Sequence, residues 1–246
     1  MEIFTALKIG AFHTNFCEDF LVYELLSTDQ YLVAVMDGCT MGTESAFASI
    51  LYGKTLRKIA KDLYYLDFVH QSEIPPSAKL KQVLENLFQQ LRSIKNQLGL
   101  ETAELLSTLI IGIIDQKHGS AQFLTVGDGL ICHDGKLIEY EQDNTPDYLG
   151  YHLKEDFNHW FAAQQQLLEV SSFKDLSICT DGIFTFQPSS RAMRQKPMAA
   201  ILHFLLEDTA GSGQQNFMER KIRQLETEDY HVPGDDVAII RLRHEV

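Results

Sequence analysis

Six apolar residues in a row, Tyr31 to Met36, run into a carboxylate at Asp37. Such a run reads as a strand buried on both faces, and that strand has no low-cost way to end in an acid unless the acid does chemistry. Gly38 and Gly42 flank the turn that follows, and a helical period begins at Glu44. A carboxylate at a strand end beside flexible backbone suits a hard cation, which takes carboxylate and carbonyl oxygens together. The setting recurs along the chain. Leu176 to Thr180 is a strand pattern that runs into Asp181-Gly182, Glu18-Asp19 and Asp235-Asp236 open strand patterns, and Asp128 is enclosed in Gly127-Asp128-Gly129. Any one Asp-Gly is ordinary turn composition, and Asp37 alone would serve as a turn starter or helix cap. Acids at both the ends and the starts of strands converge once the sheet is antiparallel, because the end of one strand lies beside the start of its neighbour. Carboxylates gathered in this way repel and shift one another's pKa values unless cations hold them. The pattern implies at least one divalent ion and favours two. A pair of Mg²⁺ or Mn²⁺ ions about 3.5 to 4 Å apart generates hydroxide near neutral pH and screens a phosphate ester, which is hydrolase chemistry.

The elements that must position these acids follow from the patterning. Residues 5 to 12, 18 to 26 and the run ending at Asp37 read as strands, followed by helices over 44 to 65 and 77 to 98, the second after Pro75-Pro76 and carrying a strong Leu/Phe stripe. Strand patterns then cover Ser107 to Asp115, Ala121 to Val126, Leu130 to Cys132 and Lys136 to Tyr140. Their short Gly-containing connections predict hairpins and an antiparallel sheet. Residues 143 to 165, with Pro146, Gly150 and the one Trp, read as a long loop or flap. Helical segments at 197 to 207 and 214 to 226 and a strand over Val237 to Leu242 complete the chain. No repeat or low-complexity segment interrupts residues 1 to 246, which read as one domain.

Composition excludes some partners. With 34 acidic against 21 basic residues the formal charge is −13, which repels phosphate backbones and anionic membranes, so neither nucleic acid nor membrane is expected. No long apolar segment or signal peptide is visible, and the four cysteines lack CxxC spacing, so the expectation is a reduced, cytoplasmic protein. Cys17, Cys39 and Cys179 lie within two residues of Glu18, Asp37 and Asp181, which leaves a thiolate zinc site as an alternative, with small buried apolar roles as the other reading.

Taken in order, Cys17-Glu18-Asp19, Val33-Ala-Val-Met-Asp37-Gly38, Ser107-Thr-Leu-Ile, Val126-Gly-Asp128-Gly129, Cys179-Thr-Asp181-Gly182 and Gly234-Asp235-Asp236-Val-Ala-Ile-Ile resemble the metal-dependent protein serine/threonine phosphatases of type 2C. The resemblance implies an α+β fold, a four-layer α/β/β/α sandwich with two central antiparallel sheets and helical pairs on the outer faces. It implies hydrolysis of phosphoserine or phosphothreonine in a phosphoprotein by a hydroxide on two Mn²⁺ or Mg²⁺ ions, with no phospho-enzyme. Asp37 would bridge the ions, with the carbonyl of Gly38 as a further ligand. Asp181 and Asp235 would complete the first ion, Glu18 or Asp19 would serve the second, and Asp128 would help hold a third. Where the family commonly has an arginine that grips phosphate, this chain has Thr14 with His13 beside it, and a hydroxyl does not replace a guanidinium. The family's DGHGG is here Asp37-Gly38-Cys39-Thr40-Met41-Gly42, Asp236 stands where Asn is usual, and Leu130 replaces an Arg. A catalytically silent phosphatase-like module that binds a phosphoprotein or regulatory partner is therefore the alternative. A phosphatase with an aspartate nucleophile is disfavoured, since Val35 occupies the position that nucleophile needs.

Overall fold

The computed structural model describes residues 1–39, 44–70, 73–142, 146–190, 194–214 and 216–244. Along them the chain forms β1 (Glu2–Lys8), β2 (Phe20–Leu25), β3 (Gln30–Met36), α1 (Ser45–His70), α2 (Pro76–Leu98), β4 (Leu109–Asp115), β5 (Ser120–Val126), β6 (Gly129–His133), β7 (Lys136–Tyr140), α3 (Leu149–His152), α4 (Phe157–Ala162), β8 (Leu167–Val170), β9 (Asp175–Cys179), β10 (Phe186–Pro188), α5 (Met198–Leu206), α6 (Phe217–Thr227), β11 (His231–Pro233) and β12 (Val237–Arg243). Two five-stranded sheets dominate, ordered β2-β3-β4-β5-β8 and β1-β12-β9-β6-β7, and β10 pairs with β11 apart from them. All the pairings are antiparallel.

The apolar runs are continuous because the central strands bury both faces. On β3, Leu32, Ala34 and Met36 join a core with Leu56, Ile59, Leu84 and Phe88 of α1 and α2, while Val33 and Val35 join the layer between the sheets. On β12, Val237 and Ile239 face Leu205 and Met218 of α5 and α6, while Ala238 and Ile240 turn inward. The result is the four-layer α/β/β/α sandwich. Helix ends follow local chemistry: Pro76 opens α2, and Gly99 (φ 67°) closes it with its N–H on the Lys95 carbonyl. Among the described residues no helix is long and apolar enough to cross a membrane.

Three expectations need correction. Val126-Gly127-Asp128-Gly129 is not a hairpin turn: β5 and β6 belong to different sheets, and Gly127 (φ 94°) and Gly129 (φ 133°) carry the chain across the sandwich. Residues 146 to 163 are not a surface flap. They hold α3 and α4, whose Leu149, Phe157 and Trp160 are buried in the core under α2, with the Trp160 and Phe88 ring centroids 4.6 Å apart. Residues 143–145 lie outside the described residues. Finally, β1 ends at Lys8 and not at residue 12, because Ala11 and Phe12 donate to the carbonyls of Pro233 and Gly234. Strand β8 and the β10–β11 ribbon complete the pattern; neither was anticipated from sequence.

Candidate active site

Register brings the acidic sites to one end of both sheets. Phe20 pairs with Met36, so Asp19 and Asp37 leave β2 and β3 side by side; Cys179 pairs with Ile239, and the Thr180 N–H donates to the Ala238 carbonyl, so Asp181 leaves β9 where Asp235 and Asp236 enter β12. Hydrogen bonds then fix this edge. The Asp37 carbonyl accepts from Thr108 N at 2.9 Å, and Asp37 N donates to Thr108 Oγ1 at 3.3 Å. Gly38 N donates to the Glu18 carbonyl at 3.1 Å. Thr180 Oγ1 donates to Asp19 Oδ2 at 2.6 Å while accepting from Ala238 N at 2.9 Å, which ties the two sheets together directly at the site. Asp236, buried, accepts from Gly10 N at 2.7 Å and Glu18 N at 2.5 Å. Close approach explains Gly182, where a Cβ would stand 1.8 Å from the Asp236 carbonyl oxygen.

Electrostatics set this edge apart from ordinary turns. The Asp37 carboxyl is held well above the usual range by burial and then by the charges of Asp19, Asp181 and Asp235. Burial also raises Asp19, aided by Asp181 and Asp236 and opposed by hydrogen bonds from Thr180 and Asp37. Asp181 is pushed up to about 6 by burial and by Asp128 and Asp235. Asp128 is raised by burial. Among the described residues no lysine or arginine is a leading influence on Asp19, Asp37 or Asp181. Burial and mutual repulsion thus favour protonation of these carboxyls or exchange of their protons for a cation, and a largely buried, all-oxygen donor group fits a divalent one.

The remaining predicted residues fall at the rim. His13 sits between Glu18 and the Asp235–Asp236 pair, and its side chain is partly exposed; burial lowers its pKa, but Asp236, Glu18 and Asp235 outweigh that and raise it. Thr14 is exposed. Cys39 is half-buried at the site, while Thr40 to Thr43 lie outside the described residues. Zinc thiolate chemistry does not assemble: burial pushes the Cys17 and Cys179 thiols up, and among the described residues no thiol joins a group of three ligand atoms. The group that does form is His13, Asp235 and Asp236, with one donor atom of each within 4.8 Å of the others.

Two positioning groups escaped the sequence reading. Asp236 was noted only as a departure from Asn, yet its carboxylate joins the turns after β1 and before β2, a link visible only in three dimensions. Tyr148, at the start of α3, pairs with Cys39 and faces Asp37 and Asp128, and burial raises its phenol pKa.

Compared with protein families, residues 12–225 match the model described as "Protein phosphatase 2C". Compared by sequence with curated proteins, the chain finds no significant match. Solved structures similar to it include a bacterial serine phosphatase (TM-score 0.58, 14% identity, covering 100% of this chain and 98% of that one). Others are the PP2C domain of SiaA from Pseudomonas aeruginosa (0.60, 17%, 99% and 86%) and the phosphatase domain with a regulatory fragment of SpoIIE from Bacillus subtilis (0.58, 17%, 100% and 64%). Identities this low carry the fold, and the family model carries the kinship. A phosphatase-type function is supported, and the chain belongs to the protein phosphatase 2C family.

Proposed function

We propose that this chain, acting as one phosphatase domain over residues 1–246, is a divergent metal-dependent phosphoprotein phosphatase specific for phosphoserine or phosphothreonine. The observation that carries the reading is the convergence of Asp19, Asp37, Asp181 and Asp235 at one sandwich edge, where among the described residues no lysine or arginine is a leading influence on the first three. Asp37, Asp181 and Asp235 would hold one cation; Asp37, the Gly38 carbonyl and Glu18 or Asp19 would hold a second; and Asp128 would contribute to a third. Bound Mn²⁺ or Mg²⁺ would supply water activation and charge screening for the phosphate ester. The chain's own residues do the rest. Thr108 and Thr180 orient Asp37 and Asp19, and Asp236 fixes the backbone of Glu18. In this reading His13 and Thr14 would meet the phosphoryl group, offering an imidazole and a hydroxyl in place of a guanidinium. Family membership and the acidic surface favour a soluble cytoplasmic signalling role.

A second reading has its own observation. Thr14 is exposed, and among the described residues no guanidinium is a leading influence on Asp37, so phosphate would be held weakly. A silent module that binds a phosphoprotein or regulatory partner fits that deficit. Hydrolysis of a small aryl phosphate by the purified chain, with Mn²⁺ and with chelator, separates the two. Turnover that needs Mn²⁺ and is lost in Asp37→Asn supports the phosphatase, and Mn²⁺-independent turnover, or turnover unchanged in Asp37→Asn, refutes it. Absent turnover while Mn²⁺ still raises the melting temperature supports the module.

A further inference from the structure

His13 lies in the turn between β1 and β2, and its two ring nitrogens face different acids. Nδ1 stands 2.9 Å from Asp236 Oδ2 and 3.7 Å from Asp235 Oδ1; Nε2 stands 3.8 Å from Glu18 Oε1. Nδ1 is shielded from solvent yet makes no hydrogen bond, so its approach to Asp236 is close in distance and wrong in direction. That geometry is what two donors on a common ion show. Donors about 2.1 Å from one ion stand about 3.0 Å apart at right angles and about 4.2 Å apart across it, and the ion lies off the line that joins them. The separations of 2.9 and 3.7 Å sit close to and within that range. The oxygen donors are already fixed: Gly10 N and Glu18 N hold Asp236, and Asp236 N donates to Asp235 Oδ1 at 2.8 Å.

We propose that His13 Nδ1, Asp235 and Asp236 form a mixed nitrogen–oxygen cation site at the outer rim of the acid cluster, taking a transition ion such as Mn²⁺ or Zn²⁺ in preference to Mg²⁺. Imidazole is a ligand of transition ions, whereas Mg²⁺ keeps to oxygen, so the histidine sets the choice. With Nδ1 on the ion, the proton resides on Nε2, the side that faces Glu18. Metal-bound histidines characteristically direct their second nitrogen at a carboxylate in this way. The inference rests on the reading of Asp235 as a cation ligand and adds a nitrogen to a set that is otherwise all oxygen.

Pulsed electron paramagnetic resonance of the full chain loaded with Mn²⁺ tests it. Nitrogen modulation of the Mn²⁺ echo is expected in the wild type, altered when histidine is ¹⁵N-labelled, lost in His13→Gln and kept in His152→Gln. Titration should show Zn²⁺ affinity falling about tenfold or more in His13→Gln, with Mg²⁺ affinity unchanged. Mn²⁺ bound with no nitrogen modulation, or modulation that survives in His13→Gln, overturns the inference and leaves the proposed function standing. Failure to bind Mn²⁺ at all overturns both. Because the labelling experiment needs no substitution, a variant that misfolds does not decide the outcome.

Discussion

Replacing Asp181 by Asn should make the cation-free protein more stable at neutral pH. Asp181 titrates near 6 in the folded chain against an ordinary value of 3.8, through burial and the charges of Asp128 and Asp235. A carboxyl whose folded pKa is raised binds more protons folded than unfolded, so its contribution is present at low pH and is lost as pH rises through about 6. A separation of about two units corresponds to about 3 kcal/mol over the whole window, of which roughly 1.4 kcal/mol falls between pH 5 and 7.5. For a chain of this size that portion shifts the melting temperature by roughly 3 to 6 °C. Asn cannot titrate, and it keeps an oxygen to accept the local backbone hydrogen bonds. Thermal melts in chelator should therefore show the wild type losing those degrees relative to Asp181→Asn as pH rises from 5 to 7.5. Mn²⁺ in large excess should reverse the order at pH 7.5, since a ligand at about 1,000 times its Kd adds about 4.1 kcal/mol to a chain that still binds it, more than the loss of about 3 kcal/mol there. Parallel melting curves for the two proteins across that pH range in chelator would refute the claim that burial and its acidic neighbours raise the Asp181 carboxyl.

Other consequences follow from the packing. Arg241 is fully buried on β12 and binds Asp175 through Nε (2.9 Å) and one terminal nitrogen (2.6 Å), while its other donors reach the carbonyls of Leu205, Glu207 and Asp208 at the end of α5. Arg241→Met should cost about 3 to 5 kcal/mol by stranding Asp175 and three carbonyls, measured by urea denaturation. Trp160→Ala should cost about 3 to 5 kcal/mol for the cavity left against Phe88, with the denaturant slope unchanged. Burial lowers the pKa of His152, but Glu155 and Asp147 more than offset it and raise the net value. The stability it adds is thus complete below pH 6.5 and fades as pH rises through the raised folded value, so melts of wild type and His152→Gln should converge as pH rises beyond it.

Much of the fold was legible because the central strands bury both faces, which leaves unbroken apolar runs in β3, β4 and β12 and makes the acids at their ends conspicuous. The crossover at Asp128 was not legible, since Gly-Asp-Gly has the same turn chemistry whether the chain stays in one sheet or changes sheets. Residues 146 to 163 misled for a related reason. Leu149, Leu153, Phe157 and Trp160 do keep helical spacing, but they are diluted by polar residues and divided between two short helices. Charge convergence could be foreseen from antiparallel pairing. The meeting of His13 with Asp236, more than 200 residues away, could not, because neither residue carries a local pattern that names the other.

The Thr180–Asp19 hydrogen bond marks the seam between the two sheets, and the carboxylates are divided across it: Asp19 and Asp37 come from the β2–β3 side, Asp181 and Asp235 from the β9–β12 side. Neither half of the sandwich holds the complete donor set. On the proposed metal reading, cation affinity would therefore gauge closure, nil for a half-assembled chain and full only when the sheets are registered face to face. An ion seated there would act as a clasp, and amide exchange in β3 and β12 should slow together on its arrival, although those strands lie in different sheets.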